Sequence, residues 1–296
     1  MSAKKLTVAD QRKLIDQLSN ITNATATDSN RLLKTYRWNL ELAISGFFDD
    51  ALAQQNAANN TSRLAGSASA KAKKDRETKL LAIFDQFKDE KEYAITIEQV
   101  ADYFEAIGIT EMDSDIAVYL VSYELKSPSM GRLPQKEFIE SWSALKVDST
   151  EAMANEVKNL RAKYLTDPEY FKKVYRYVYD LGKQDGAKVI VRDMAVALWQ
   201  SLLPPVFQSN PSAIQYSTTN GARGMGEREF GWWLEFLEEQ KTKGISKDLW
   251  TLFIEFAVKV PYTYDVYDED GAWPSLLDEF TDYAKNRRKR EGLDNA

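Results

Sequence analysis

The chain of 296 residues contains neither cysteine nor histidine. Without cysteine there are no disulfides, no thiol nucleophile and no thiolate metal site. Without histidine, Ser–His–Asp catalysis and imidazole zinc ligation are excluded. A GxxxxGK[ST] phosphate loop and a strand-led GxGxxG are also missing. Positive charge is short: 39 Lys and Arg against 45 Asp and Glu leave a net charge of −6, which argues against general nucleic-acid binding. No apolar run approaches the roughly 20 residues that a membrane-spanning helix needs. The N-terminal MSAKKLTVADQ carries no signal-peptide core, so the expectation is a soluble protein inside the cell. The enzyme chemistry left open would rest on carboxylate pairs, Lys, Tyr or a hard metal ion.

What the sequence does have is apolar and aromatic surface at helical spacing. Hydrophobic residues make up 44% and aromatics 12%, enough for a substantial core. Residues 6–52 read as three short helices: Leu14, Ile15 and Leu18 on the first, Leu32, Leu33 and Tyr36 on the second. The third carries Leu40, Ala43, Ile44, Phe47 and Phe48. Asp28 or Ser29 is expected to cap the second helix and Asn39 to start the third. Residues 53–74 shift to Ala, Asn, Ser, Gln and Lys, which predicts a flexible linker. Residues 75–290 are helix after helix, with no sustained period-2 run. The fold class is therefore all-α, a small three-helix domain followed by a larger helical one. Residues 208–227, rich in Ser, Asn and Gly, read as a surface loop or insertion.

Two helix–loop–helix units open the larger domain and look like degenerate EF-hands. The loop at 126–137 keeps Gly131 at position six, Leu133 at eight and Glu137 at twelve. Lys126, Pro128 and Met130 stand where calcium needs oxygen ligands. An earlier loop around 85–96 has Asp85 and Asp89 but neither the glycine nor the final Glu. The expectation is a structural pair without metal or cofactor, with an apolar groove suited to a partner's helix or N-terminal tail. A calcium-sensor-type or helical adaptor role is the alternative.

The stretch YDEDGAWPSLLDEF, residues 267–280, combines a turn at 268–271, Pro274 at a first helical position and carboxylates in the helix's first turn. It reads either as a well-formed helix start on an acidic surface or as a docking site for a basic partner. Pairs drawn from Asp265, Asp268, Asp270, Asp278 and Asp282 could serve a hydrolase, but 45 acidic residues make chance pairs common. The run KNRRKR at 285–290 suits a helix C-terminus, and also a nuclear-import signal or an acidic partner.

Taken together these segments resemble the defective-in-cullin-neddylation family, whose larger part is the potentiating-neddylation (PONY) domain. The residues that carry the resemblance are YDEDGAWPSLLDEF, the segment Ile245-Ser246-Lys247-Asp248-Leu249-Trp250, Trp233 and Phe236 in WWLEFLEE, and residues 129–138. Residues 6–52 resemble a ubiquitin-associated (UBA) domain. The resemblance implies a non-catalytic, scaffold-type E3 co-ligase in the cytoplasm and nucleus. Such a protein holds a cullin and the neddylation E2 together, and the E2 passes its ubiquitin-like modifier to a cullin lysine. It implies that Asp248, Ala272 and Asp278 bind the C-terminal winged-helix region of the cullin. It implies that Ile97, Val100, Val118, Val121, Leu133, Phe138 and Leu181 form an apolar pocket for the acetylated N-terminal Met of the E2. Gly131 stands where some relatives carry a cysteine. For the N-terminal domain it suggests ubiquitin as a partner, although residues 20–27 hold no Met-Gly-Phe type loop.

Overall fold

A computed structural model describes residues 6–184, 186–209, 224–265, 267 and 273–293, with backbone only at 62–68 and 208–209. The chain divides into two compact units, Met1–Asp75 and Arg76–Ala296.

The first unit is built from α1 (Val8–Thr22), α2 (Ala26–Thr35), α3 (Leu40–Phe48) and the first turns of α4 (Ala51–Phe87). Thr7 and Asp10 open α1 with a reciprocal capping box, the Thr7 hydroxyl accepting from Asp10 N at 3.2 Å and Asp10 accepting from Thr7 N at 3.2 Å. Thr25, and not Asp28 or Ser29, caps α2, accepting from Asp28 N at 3.1 Å. Asn39 caps α3 as expected, accepting from Leu42 N at 3.0 Å. Leu18, Leu32, Leu33, Ala43 and Phe47 fill the core. Phe48 does not join them; it is 64% exposed.

Residues 53–74, expected as a flexible linker, are helical and belong to α4. The physical reason is propensity: Ala, Gln, Lys and Arg lose little in a helix even where they bury nothing. Ala53 and Ala57 also close the first unit's core, at 0% and 5% exposure.

The second unit continues with α5 (Val100–Ala106), α6 (Ala117–Glu124), α7 (Gln135–Ala144), α8 (Thr150–Thr166), α9 (Pro168–Gly182), α10 (Arg192–Leu202), α11 (Pro204–Ser209), α12 (Glu227–Glu239), α13 (Lys247–Lys259) and α14 (Ser275–Arg290). Two-residue strands tie the loops in pairs. Strands β1 (Ala94–Ile95) and β2 (Leu133–Pro134) run antiparallel with Ile95 opposite Leu133, and β3 (Ile190–Val191) and β4 (Gly244–Ile245) with Ile190 opposite Ile245. The first ladder joins the two loops that follow α4 and α6.

Helix α9 is the central post. Asp167 caps it, accepting from Glu169 N and Tyr170 N at 3.0 Å, and Pro168 takes the first turn. Tyr175 stacks on Trp250 at 4.7 Å and Trp250 on Trp199 at 4.9 Å. The three are also cross-bonded. Tyr175 Oη donates to the Trp250 carbonyl at 2.9 Å and accepts from Trp199 Nε1 at 2.8 Å, while Trp250 Nε1 donates to the Tyr175 carbonyl at 2.9 Å. Burial pushes the Tyr175 hydroxyl well above its usual range. Trp233 extends the stack to Phe253 at 4.8 Å and to Phe280 of α14 at 5.1 Å. Each such aromatic contact adds about 0.5–1.5 kcal/mol beyond area burial, so packing on Trp233 helps to seat α14.

Candidate functional site

Asp248 stands in the first turn of α13. Ser246 caps that helix, accepting from Leu249 N at 3.1 Å, and the carboxylate suits the helix's positive end. Its neighbour Lys247 turns away and pairs with Asp180 of α9 at 2.7 Å. Asp248 itself is exposed.

Asp278 lies in the first turn of α14 and is half-buried. Pro274, expected as the first helical residue, is instead the cap position, with φ −57° and ψ 137°. Its carbonyl accepts from Leu277 N at 2.8 Å, so the helix proper begins at Ser275. Tyr267 Oη donates to Asp278 Oδ1. Ala272 and the turn at 268–271 lie outside the described residues, as do Asp268 and Asp270.

The two helices meet through Phe256, which is 1% exposed. Its ring touches Tyr264, Tyr267, Trp273 and Phe280 at centroid distances of 6.2, 5.9, 5.8 and 6.1 Å. Phe256 is about 12 Å along the helix axis from Asp248 at 1.5 Å per residue. The scaffold thus holds the two acids on neighbouring helices without pairing them to each other.

The residues expected to form the apolar pocket divide. Val100, Val118, Val121, Leu133, Phe138 and Leu181 all lie in one buried cluster of the second unit. Ile97 is 64% exposed and rests on Gly131, where an added Cβ would come within 2.3 Å of Ile97 Cδ1. Ile97, Met130 and Gly131 line an open depression of ≈ 480 Å³ beside the β1–β2 ladder. Its rim is fixed by the Arg132–Glu92 ion pair, and by Asp89 accepting from Lys91 N at 2.7 Å. Tyr177 of α9 anchors the second loop, donating to the carbonyls of Ser122 and Ser127 at 2.9 and 2.7 Å.

Among the described residues no group of three or more carboxylates gathers where a metal ion could sit. Asp265 and Asp282 are exposed. No helix among them is long and apolar enough to cross a membrane. Two of the five basic residues in the run, Arg287 and Arg288, are already engaged. Arg287 pairs with Glu235 and with Glu291 at 2.8 Å and donates to Tyr283 Oη at 3.0 Å, and these bonds hold its guanidinium above the usual range. Arg288, 4% exposed, stacks over Tyr262 at 5.0 Å and donates to the Leu293 carbonyl at 2.7 Å. Tyr267 and Phe256 were not singled out from sequence. The available signal was the tyrosine immediately before the acidic turn.

Comparison with known proteins finds similarity in both units. A family model described as cullin binding matches residues 152–283, and one described as a UBA-like domain matches residues 12–54. The chain is similar to "Defective in cullin neddylation protein 1" of Cryptococcus neoformans var. neoformans serotype D, 29% identical over 282 residues and covering 93% of this chain and 94% of that protein. A protein of the same name from Mycosarcoma maydis is 27% identical over 328 residues, covering 97% and 98%. "DCN1-like protein 3" of Homo sapiens is 28% identical over 218 residues, covering 72% and 64%. With a UBA-like match ahead of a cullin-binding match, and relatives aligned along nearly its whole length, the chain is similar to the defective-in-cullin-neddylation proteins.

Proposed function

We propose that this protein is a non-catalytic co-ligase in cullin neddylation. It binds a cullin through Asp248, Ala272 and Asp278, and the neddylation E2 through the acetylated N-terminal Met of that enzyme. The observation that carries the reading is the cullin-binding match over residues 152–283, which contains all three of these positions. Two acids at the starts of adjacent helices, one exposed and one half-buried, suit a partner surface bearing Lys or Arg. The chain has no cysteine to carry a thioester, so the transfer itself belongs to the E2. What this protein contributes is proximity. A well-oriented encounter removes up to about 7–11 kcal/mol from a bimolecular barrier.

The apolar set around Val100, Val121 and Leu133 supports the E2 half of the reading. An acetylated Met is uncharged and apolar, and Ile97 is the movable member of a set otherwise locked in the core. The UBA-like unit makes ubiquitin a further candidate partner, and the cytoplasm and nucleus the proposed locations. The test is a charge reversal. Asp248→Lys combined with Asp278→Lys is expected to lower cullin binding at least about tenfold, or 1.4 kcal/mol, and to abolish stimulation of neddylation by purified components. Binding equal to wild type would reject the patch. A pull-down with acetylated and unacetylated E2 N-terminal peptides tests the second site, and equal retention of the two would reject it.

A further inference from the structure

We infer that Tyr267 is a positioning residue for the docking carboxylate of Asp278, and that Phe256 holds it in place; the inference rests on the reading of Asp278 as a cullin-binding acid. Tyr267 Oη donates to Asp278 Oδ1. A carboxylate offers two oxygens and about four lone-pair sites. This bond takes one of them and sets the plane of the group, leaving Oδ2 for an incoming Lys or Arg. Among the described residues no other side chain donates to the Asp278 carboxylate.

The tyrosine is itself anchored. Its ring meets Phe256 edge-on, at 5.9 Å and 72°. Trp273 meets the same ring at 5.8 Å and 83°. Tyr267 and Trp273 flank residues 268–272, so one buried side chain of α13 grips both ends of the stretch that contains Ala272. Helix α13 also begins with Lys247-Asp248. A single helix therefore presents one docking acid at its start and fixes the orientation of the other through Phe256 and Tyr267. Ordering the carboxylate before the partner arrives removes an entropy cost from binding.

The experiment is a double-mutant cycle on the full chain, with affinity for a purified cullin C-terminal domain measured by calorimetry. Tyr267→Phe keeps the ring on Phe256 and deletes only the hydroxyl. It is expected to weaken binding about three- to tenfold on its own, and to add nothing in an Asp278→Asn background. If Asp278→Asn weakens binding while Tyr267→Phe does not, the inference is overturned and the docking reading stands. If Tyr267→Phe weakens binding equally in both backgrounds, the tyrosine acts directly or through fold stability, and positioning is overturned. If Asp278→Asn binds as wild type, the docking reading itself fails.

Discussion

Replacing Gly131 by alanine gives the sharpest test of how the β1–β2 loops are assembled. Two costs can be worked from the structure. Gly131 has φ +70°, a conformation that costs an L-residue about 1–2 kcal/mol. The new Cβ would also lie 2.3 Å from Ile97 Cδ1 and 3.2 Å from Ile97 Cβ and Cγ1, so Ile97 must leave its place. Because Ile97 is 64% exposed, its displacement costs only a strained rotamer, about 0.5–1.5 kcal/mol. The sum is about 1.5–3.5 kcal/mol, which for a unit of this size lowers Tm by about 3–14 °C. The assay is thermal unfolding followed by circular dichroism, repeated in an Ile97→Ala background. There the side-chain clash is largely gone, and Gly131→Ala should cost about 1–2 kcal/mol. A Tm within about 2 °C of wild type, or an identical cost in both backgrounds, would refute the placement of Ile97 over Gly131. The proposed E2 site adds a second readout: acetylated-peptide binding should weaken for Gly131→Ala and Ile97→Ala alike.

Trp250→Phe removes the indole donor to the Tyr175 carbonyl, which keeps only its bond within α9, and shrinks the stacked core. The expected loss is about 2–4 kcal/mol in urea denaturation, and a loss under about 1 kcal/mol would contradict the hydrogen-bonded stack. The first unit should be acid-sensitive. Burial pushes the Asp28 carboxyl up, but hydrogen bonds from Thr25, Asn56 and Arg31 outweigh it and hold the group below the ordinary carboxylate range. Asp50 is lowered by its hydrogen bonds from Arg31 and Ala53 N. In the unfolded chain both bind protons more readily, so their stabilisation is present above about pH 4 and is lost as pH falls through the lowered values. Melting of residues 6–75 should be flat from pH 8 to 5 and fall below about pH 4, with Arg31→Met shrinking the drop. An acid response unchanged in that variant would exclude the pair as its source.

Most of the helical order was legible because apolar spacing and capping residues are local. Asn39 was found from its type and position alone. Thr25 was missed because four cap-competent residues, Thr25, Thr27, Asp28 and Ser29, crowd the start of α2, and only backbone geometry, φ −60° and ψ 153°, selects among them. Residues 53–74 misled by composition: low apolar content reads as a linker, while their helix propensity is invisible to a hydrophobicity argument. The two-residue strands are too short to leave a period-2 signal. At the proposed docking site, Asp248 and Asp278 came from the resemblance. The bond between Tyr267 and Asp278 spans eleven residues and depends on where Phe256 sits, which no local pattern encodes. In the apolar set, sequence could not tell that Ile97 alone is exposed, since all seven side chains look equally suited to a core.

The distribution of tryptophan makes the molecule its own optical gauge. Of seven tryptophans, Trp38 is the first unit's sole one, packed against that unit's small core. Trp142, Trp199, Trp232, Trp233 and Trp250 are buried in the second unit, and Trp273 is half-buried on Phe256. The emission lost in Trp38→Phe therefore reports the N-terminal unit, and the near-ultraviolet dichroism of the Trp199–Trp250 pair reports the large core. A change confined to Trp273 on adding a partner would be a direct optical signal of occupancy at the C-terminal turn, obtained without any label.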